Sequence, residues 1–257
     1  GTSGPVYVGA IVCFFFILGL FVVKGKIKWV MLIATILSIL LSWGKNFMGF
    51  TDFFLDYFPM YNKFRAVSMT LVIAEVCMPL LAFLALAEII KNPDVLKKNM
   101  YYLYVSFGLT AGFCLLFYII PDVFFNFLSQ GEAAQFAKLC SGKDGAIYQT
   151  LANELEKVRI AIFRKDAIRS FLFISVAALI LLLNVKDKLK SNAMFAILAV
   201  LVVADMYPID KRYLNNDNFV EKKRANNPFT MTAIDKQILQ DNSLNYRVLD
   251  LTKNTFN

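Results

Sequence analysis

The chain contains no histidine. That removes the commonest general base near neutral pH together with the commonest metal ligand, so any acid–base chemistry falls to carboxylates, lysine or tyrosine. Charge of either sign is scarce: Asp, Glu, Lys and Arg make up 18% of 257 residues, where a soluble domain averages about a quarter. There is no Gly-rich phosphate loop, no nucleophile elbow and no tight cluster of metal ligands. The four cysteines, Cys13, Cys77, Cys114 and Cys140, show no paired spacing. Three of them fall in apolar runs as small hydrophobes, and only Cys140 sits in a polar segment. The first apolar stretch has no basic residue ahead of it, so it does not read as a signal peptide.

What is present is apolar surface, 58% hydrophobic residues including 25 Phe. That fraction exceeds the needs of a soluble core and suits side chains facing lipid. The apolar residues gather in six runs, Pro5–Val23, Lys28–Trp43, Ala66–Ile90, Met100–Ile120, Ala167–Asn184 and Asn192–Pro208. A bilayer crossing takes roughly 17–25 residues. Five runs qualify directly, and the shorter second one carries Trp29 and Trp43 as interfacial anchors.

Three lysine clusters occupy every second gap: Lys24/Lys26/Lys28, Lys91/Lys97/Lys98 and Lys186/Lys188/Lys190. Short basic loops stay on the cytoplasmic side. The expectation is therefore an all-α transmembrane bundle of six spans over residues 1–210, with the N-terminus and the larger loops outside. Set against Asp94 and Asp187, these nine lysines carry +7 of the net +8. The basicity is thus a topology signal, and the partner it implies is the lipid bilayer rather than nucleic acid.

The outward segments hold the candidate chemistry. Within Gly44–Arg65, Phe50, Phe53, Phe54, Tyr57 and Phe58 recur at helical spacing, which predicts a short interfacial helix ended by Pro59. Asp52 and Asp56 share one face of it. Such a pair can serve acid–base work or a divalent cation, but its ordinary role is a solvated face. No cofactor is otherwise indicated. Between Ala146 and Lys165, Ile147, Leu151, Leu155, Val158 and Ile162 form one apolar stripe, expected to be buried against the membrane or the bundle. Arg164, Lys165 and Arg169 cluster where this helix meets the fifth span.

Residues 211–257 read as the start of a soluble outward α/β or β domain, with a short helix over Thr232–Gln240 and a strand over Asn245–Thr252. Gly1 in place of a methionine, and an ending just after that strand, give the expectation of an internal segment of a longer protein.

Glu75 is the sharpest candidate, about nine residues into the third span. An ionisable group at that depth is costly and is a functional hypothesis by default, with packing as the competing explanation. Pro79, four residues on, deprives the Glu75 carbonyl of its helical partner. Asn62, Lys63 and Arg65 enter the same span at headgroup level and suit a lipid phosphate, Arg65 through its fork of donors. Snorkelling is the simpler reading for Lys45. Asp205, near the outer end of the sixth span, reads as marking the exit from the membrane, with Lys211 or Arg212 just beyond as available partners.

The stretch Leu41–Glu75, with Gly44-Lys45, an aromatic segment, Pro59 and Lys63-Phe64-Arg65, resembles the YfhO family of bacterial polytopic membrane proteins. Arg164-Lys165-Asp166-Ala167-Ile168-Arg169 and the run Asp205–Leu214 are similar as well. The resemblance implies a GT-C-like glycosyltransferase of the bacterial cytoplasmic membrane. Such an enzyme moves a sugar from a polyprenyl-phosphate donor to a cell-envelope glycan or polymer on the outer face. It also implies a catalytic acid in an early outward loop ahead of this stretch, so no residue here is assigned as catalytic. Substrate-binding roles fall to Asn62, Lys63, Arg65 and Glu75. Two other classes stay open. A transporter would use Glu75 as a coupling site beside the helix broken at Pro79, and a scaffold would only present the outward domain.

Overall fold

The computed structural model describes residues 6–58, 67–142, 145–219, 231 and 233–240. Eleven α-helices and short 3₁₀ turns account for nearly all of them, and no strand occurs among the described residues. Two compact units are formed, 1–213 and 214–257. The first contains α1 (Ala10–Val22), α2 (Ile27–Ser42), α3 (Met48–Tyr57), α4 (Val72–Lys91), α5 (Asp94–Lys98) and α6 (Met100–Ile119). It continues with α7 (Pro121–Phe124), α8 (Gln130–Cys140), α9 (Gly145–Val185) and α10 (Ser191–Tyr213). In the second unit the described residues form a 3₁₀ turn at Asn216–Asn218 and α11 (Ala233–Ile238). The expected strand at 245–252 and most of the expected outward domain lie outside the described residues.

The shortest apolar helix of the bundle is its centre. α1 carries no polar side chain except Cys13, so it is apolar all round, as a helix packed on every side must be. Ile11, Phe14, Phe15 and Leu18 are buried, and α1 packs on α4, α6, α9 and α10. Close approach is set by small residues, since helices in lipid gain little from apolar burial and rely on packing. A Cβ added at Gly19 would stand 2.9 Å from Leu81 Cγ and 3.0 Å from the Leu81 carbonyl oxygen. Away from this core, Val30, Ile33, Phe83 and Val200 expose apolar side chains on the outer surface.

Four helical segments are long and apolar enough to cross a membrane: Ser68–Lys91, Met100–Ile119, Gly145–Val185 and Ser191–Tyr213. The first two expected spans fall short, as helices of 13 and 16 residues. Residues 6–9 are not helical, because Gly9 sits at φ 98° and the Asp205 carboxylate takes the Ala10 N–H that opens α1. The third run begins as a 3₁₀ turn, Val67–Leu71, joined to α2 by reciprocal Ser38 and Thr70 hydroxyl-to-carbonyl bonds.

The three lysine clusters do gather at one end. Lys24 pairs with Glu88 at the foot of α4, and Lys97 meets Asp187 at 2.6 Å. At the other end two expectations need correction. α9 is one continuous helix of 41 residues, about 61 Å long, rather than an amphipathic helix followed by a separate span. Of the two partners expected for its stripe, the bundle is not the one: Ile147, Leu151, Val158 and Ile162 are more than half exposed and Leu155 is half-buried, while the neighbouring face, with Ala152 and Arg159, meets α8. α10 likewise continues through Pro208 to Tyr213, its last turn held by two 2.7 Å hydrogen bonds from Arg212 to Asp166.

Candidate functional site

Glu75 stands in the first turn of α4, half-buried and four residues before Pro79. Around it α1, α4 and α10 leave a groove of about 570 Å³. Its walls are apolar, with Ile11, Phe15, Ala82, Leu86, Leu198 and Val202 among them. Glu75, Tyr7 and Met206 line one end, and Leu86 and Phe195 line it eleven residues further along α4. Glu75 has no hydrogen-bond or ion-pair partner among the described residues, so its acceptor oxygens are available to whatever enters. α4 runs unbroken through Pro79, which cannot donate to the Glu75 carbonyl as an ordinary residue at that position would. Asn62, Lys63 and Arg65, the other expected contacts, lie outside the described residues.

Beside the groove lies a buried polar cluster centred on Asp205, which has no exposed surface. Asp205 Oδ1 accepts from the Tyr7 hydroxyl at 2.9 Å, and Oδ2 accepts from the Ala10 backbone N–H at 2.8 Å. The Arg169 guanidinium stands 3.4 Å from the carboxylate and donates to the Asp205 carbonyl and to the Tyr7 hydroxyl. Its cationic face also lies 5.6 Å from the Tyr7 ring centre and 5.9 Å from that of Phe173. The pairing of Asp205 with Lys211 or Arg212 that the sequence left open is therefore replaced. Arg212 serves Asp166, and Lys211 rests 5.9 Å from the Tyr207 ring. A buried carboxylate on α10, met from the start of α1 and from α9, holds these three helices in register at this end of the bundle. Tyr7, a wall of the groove, is fixed by the same cluster.

Further out, α8 is clamped to α9. Arg159 forks onto both oxygens of Glu132 at 2.8 and 2.9 Å and donates to the Phe127 carbonyl at 2.7 Å. Glu132 also closes the capping box of α8 with Ser129. The Arg159 hydrogen bonds, followed by the Ser129 backbone N–H, hold the Glu132 carboxyl down to about 2. Next to this clamp, Asp122, Asn126, Phe127 and Glu156 border a second, more polar hollow of about 340 Å³. On α3, Thr51 is buried and donates to the Gly44 carbonyl, whereas Asp52 and Asp56 are exposed. The described residues contain no group of three or more acidic or cysteine side chains arranged to hold a metal ion.

Sequence reasoning singled out Glu75, Arg169 and Asp205 but did not join the last two. The signal was opposite charges, Arg169 and Asp205, in two consecutive apolar runs. Nothing in the sequence pointed to Tyr7, which sits in a short apolar segment without a pattern. No family model matches the chain, and neither the curated proteins nor the solved structures contain a match to it.

Proposed function

We propose that this chain is part of an integral-membrane glycosyltransferase that draws its sugar from a polyprenyl-phosphate donor and delivers it to a cell-envelope acceptor at the outer face of the bacterial cytoplasmic membrane. The observation that carries this reading is the groove between α1, α4 and α10: a lipid-sized apolar slot with a single unpartnered acid at one end. An enzyme acting on lipid substrates within the membrane needs such a slot, and a pure scaffold does not. The gathering of lysine loops at one end and of polar clusters at the other supports an arrangement with chemistry on one side only. The similarity of Leu41–Glu75 to the YfhO family supports the same class. In this reading Asn62, Lys63 and Arg65 hold the carrier phosphate where the chain enters the third span. A fixed cation there neutralises charge that builds on the departing phosphate.

The test is transfer from a polyprenyl-phosphate sugar by the full-length protein in membranes. Arg65→Lys keeps the charge but loses the bidentate fork, and should lower turnover without changing expression. Arg65→Ala should be worse. Hydrogen bonds to a charged group contribute roughly 1.5–3 kcal/mol, equivalent to about a 10- to 150-fold loss of rate. Wild-type rates in Arg65→Ala would remove the phosphate site.

A further inference from the structure

The groove has a length and a polarity that narrow its occupant. From Glu75 to Leu86 it follows eleven residues of α4, about 16 Å. The hydrocarbon core of a bilayer is about 30 Å thick, so the groove matches a single leaflet. The walls offer nothing but apolar contact along that length, which suits one acyl chain lying against α1 and α10. The polar end is the informative part. Tyr7 is already engaged, donating to Asp205 and accepting from Arg169 and Ala10. Glu75 is the wall residue there with unused hydrogen-bonding capacity, and its carboxyl oxygens can accept from a hydroxyl. No Lys or Arg is found among the described wall residues. An anionic headgroup brought to Glu75 would meet like charge in a medium that screens poorly. A hydroxyl-bearing headgroup would instead donate into it.

We infer that the groove binds an outer-leaflet acyl lipid with an uncharged hydroxyl head, of the diacylglycerol or glycosyl-diacylglycerol class, whose hydroxyl donates to Glu75. This rests on the glycosyltransferase reading only in making that lipid the acceptor side of the reaction. The phosphate carrier then belongs to Asn62, Lys63 and Arg65, as proposed above. The groove is thus matched to a lipid alcohol, the nucleophile class that a sugar transfer consumes, and not to the donor.

The experiment uses the whole protein in nanodiscs and a diacylglycerol carrying a diazirine on one acyl chain. After irradiation, label is expected in the α4 and α10 peptides that line the groove. Unlabelled dioleoylglycerol should compete, while dioleoylphosphatidic acid, with the same tails and an anionic head, should compete at least about tenfold less well. Glu75→Lys should invert that order. Glu75→Gln, which keeps an acceptor and is the milder change should the lysine variant fail to insert, should keep diacylglycerol labelling and narrow the gap to phosphatidic acid. Equal competition by the two lipids in the wild type, or competition by polyprenyl phosphate that matches dioleoylglycerol, would overturn the inference. So would label absent from α4 and α10. The two readings fail separately. Groove labelling with the expected selectivity but no polyprenyl-dependent transfer would sink the enzyme class alone. Transfer with an unselective groove would sink the lipid assignment alone.

Discussion

Replacing Asp205 by alanine should damage this fold more than any other single removal of a charge. The side chain is fully buried and is shared by Tyr7 and Ala10 at the start of α1 and by Arg169 of α9. Asp205→Ala leaves the Arg169 cation, itself only 19% exposed, without its counter-charge. Breaking a buried pair by removing one partner costs about 3–5 kcal/mol, because the remaining charge stays buried. That range already contains the orphaned Tyr7 hydroxyl and the uncapped start of α1, whose separate costs of about 1–3 and 0.5–2 kcal/mol are not additive to it. On the scaling of soluble domains of this size, 3–5 kcal/mol lowers the melting temperature by roughly 6–20 °C. The measurement is unfolding of the purified protein in detergent, followed by helical signal, with Asp210→Ala as the control because that acid is exposed on the same helix. The double variant Asp205→Leu/Arg169→Met removes both charges and should recover most of the loss, since apolar replacement of a buried pair is often neutral or better. If Asp205→Ala stays within about 0.5 kcal/mol of wild type, the cluster is not a structural clasp and the account of why α1 begins at Ala10 fails.

Gly19→Ala should destabilise the α1–α4 contact by about 1–3 kcal/mol, because the new methyl meets the Leu81 backbone as well as its side chain. Gly108→Ala and Gly112→Ala, on α6 with open space around both positions, should be neutral or stabilising in the same assay, and equal effects at all three sites would refute the packing argument. The Glu132 carboxyl is depressed from an ordinary 4.5 to about 2, so the Arg159 clamp contributes fully above pH 4.5 and is lost as the pH falls towards 2. Hydrogen exchange in α8, corrected for its intrinsic pH dependence, should show protection fading across that window in wild type. In Glu132→Gln protection should already be low at pH 6 and flat with pH; an unchanged wild-type profile in the variant would mean the clamp does not hold α8.

The alternation of lysine clusters was readable because short loops between spans have few other ways to place charge, and the ion pairs Lys24–Glu88 and Lys97–Asp187 join them at one end. Span lengths were less readable, for two different reasons. The start of α1 is decided by a carboxylate 195 positions away, which no local window contains. The join between the two halves of α9 was read as a boundary because Arg164, Lys165 and Asp166 are polar. Arg and Lys are nevertheless good helix formers, and with no Gly or Pro between Ala146 and Val185 nothing stops the helix. The apolar stripe was read correctly as periodic, but periodicity says only that one face differs from the other. Which face the bundle takes was settled by α8, whose Glu132 grips Arg159 on the side next to that stripe.

Depth made Glu75 visible in the sequence, because a charge inside an apolar run stands out whatever surrounds it. Its meaning came from what α1 and α10 place opposite it, and those helices lie 60 residues before and more than 100 residues after it. Asp205 shows the converse. It too is an acid inside an apolar run, yet Tyr7 and the opening of α1 each bond one of its oxygens and Arg169 supplies its counter-charge, so it serves the fold. Two carboxylates of similar visibility thus part ways on a single criterion, whether the protein itself satisfies them. The satisfied one holds helices together, and the one without a partner among the described residues lines the groove for which we propose a lipid occupant.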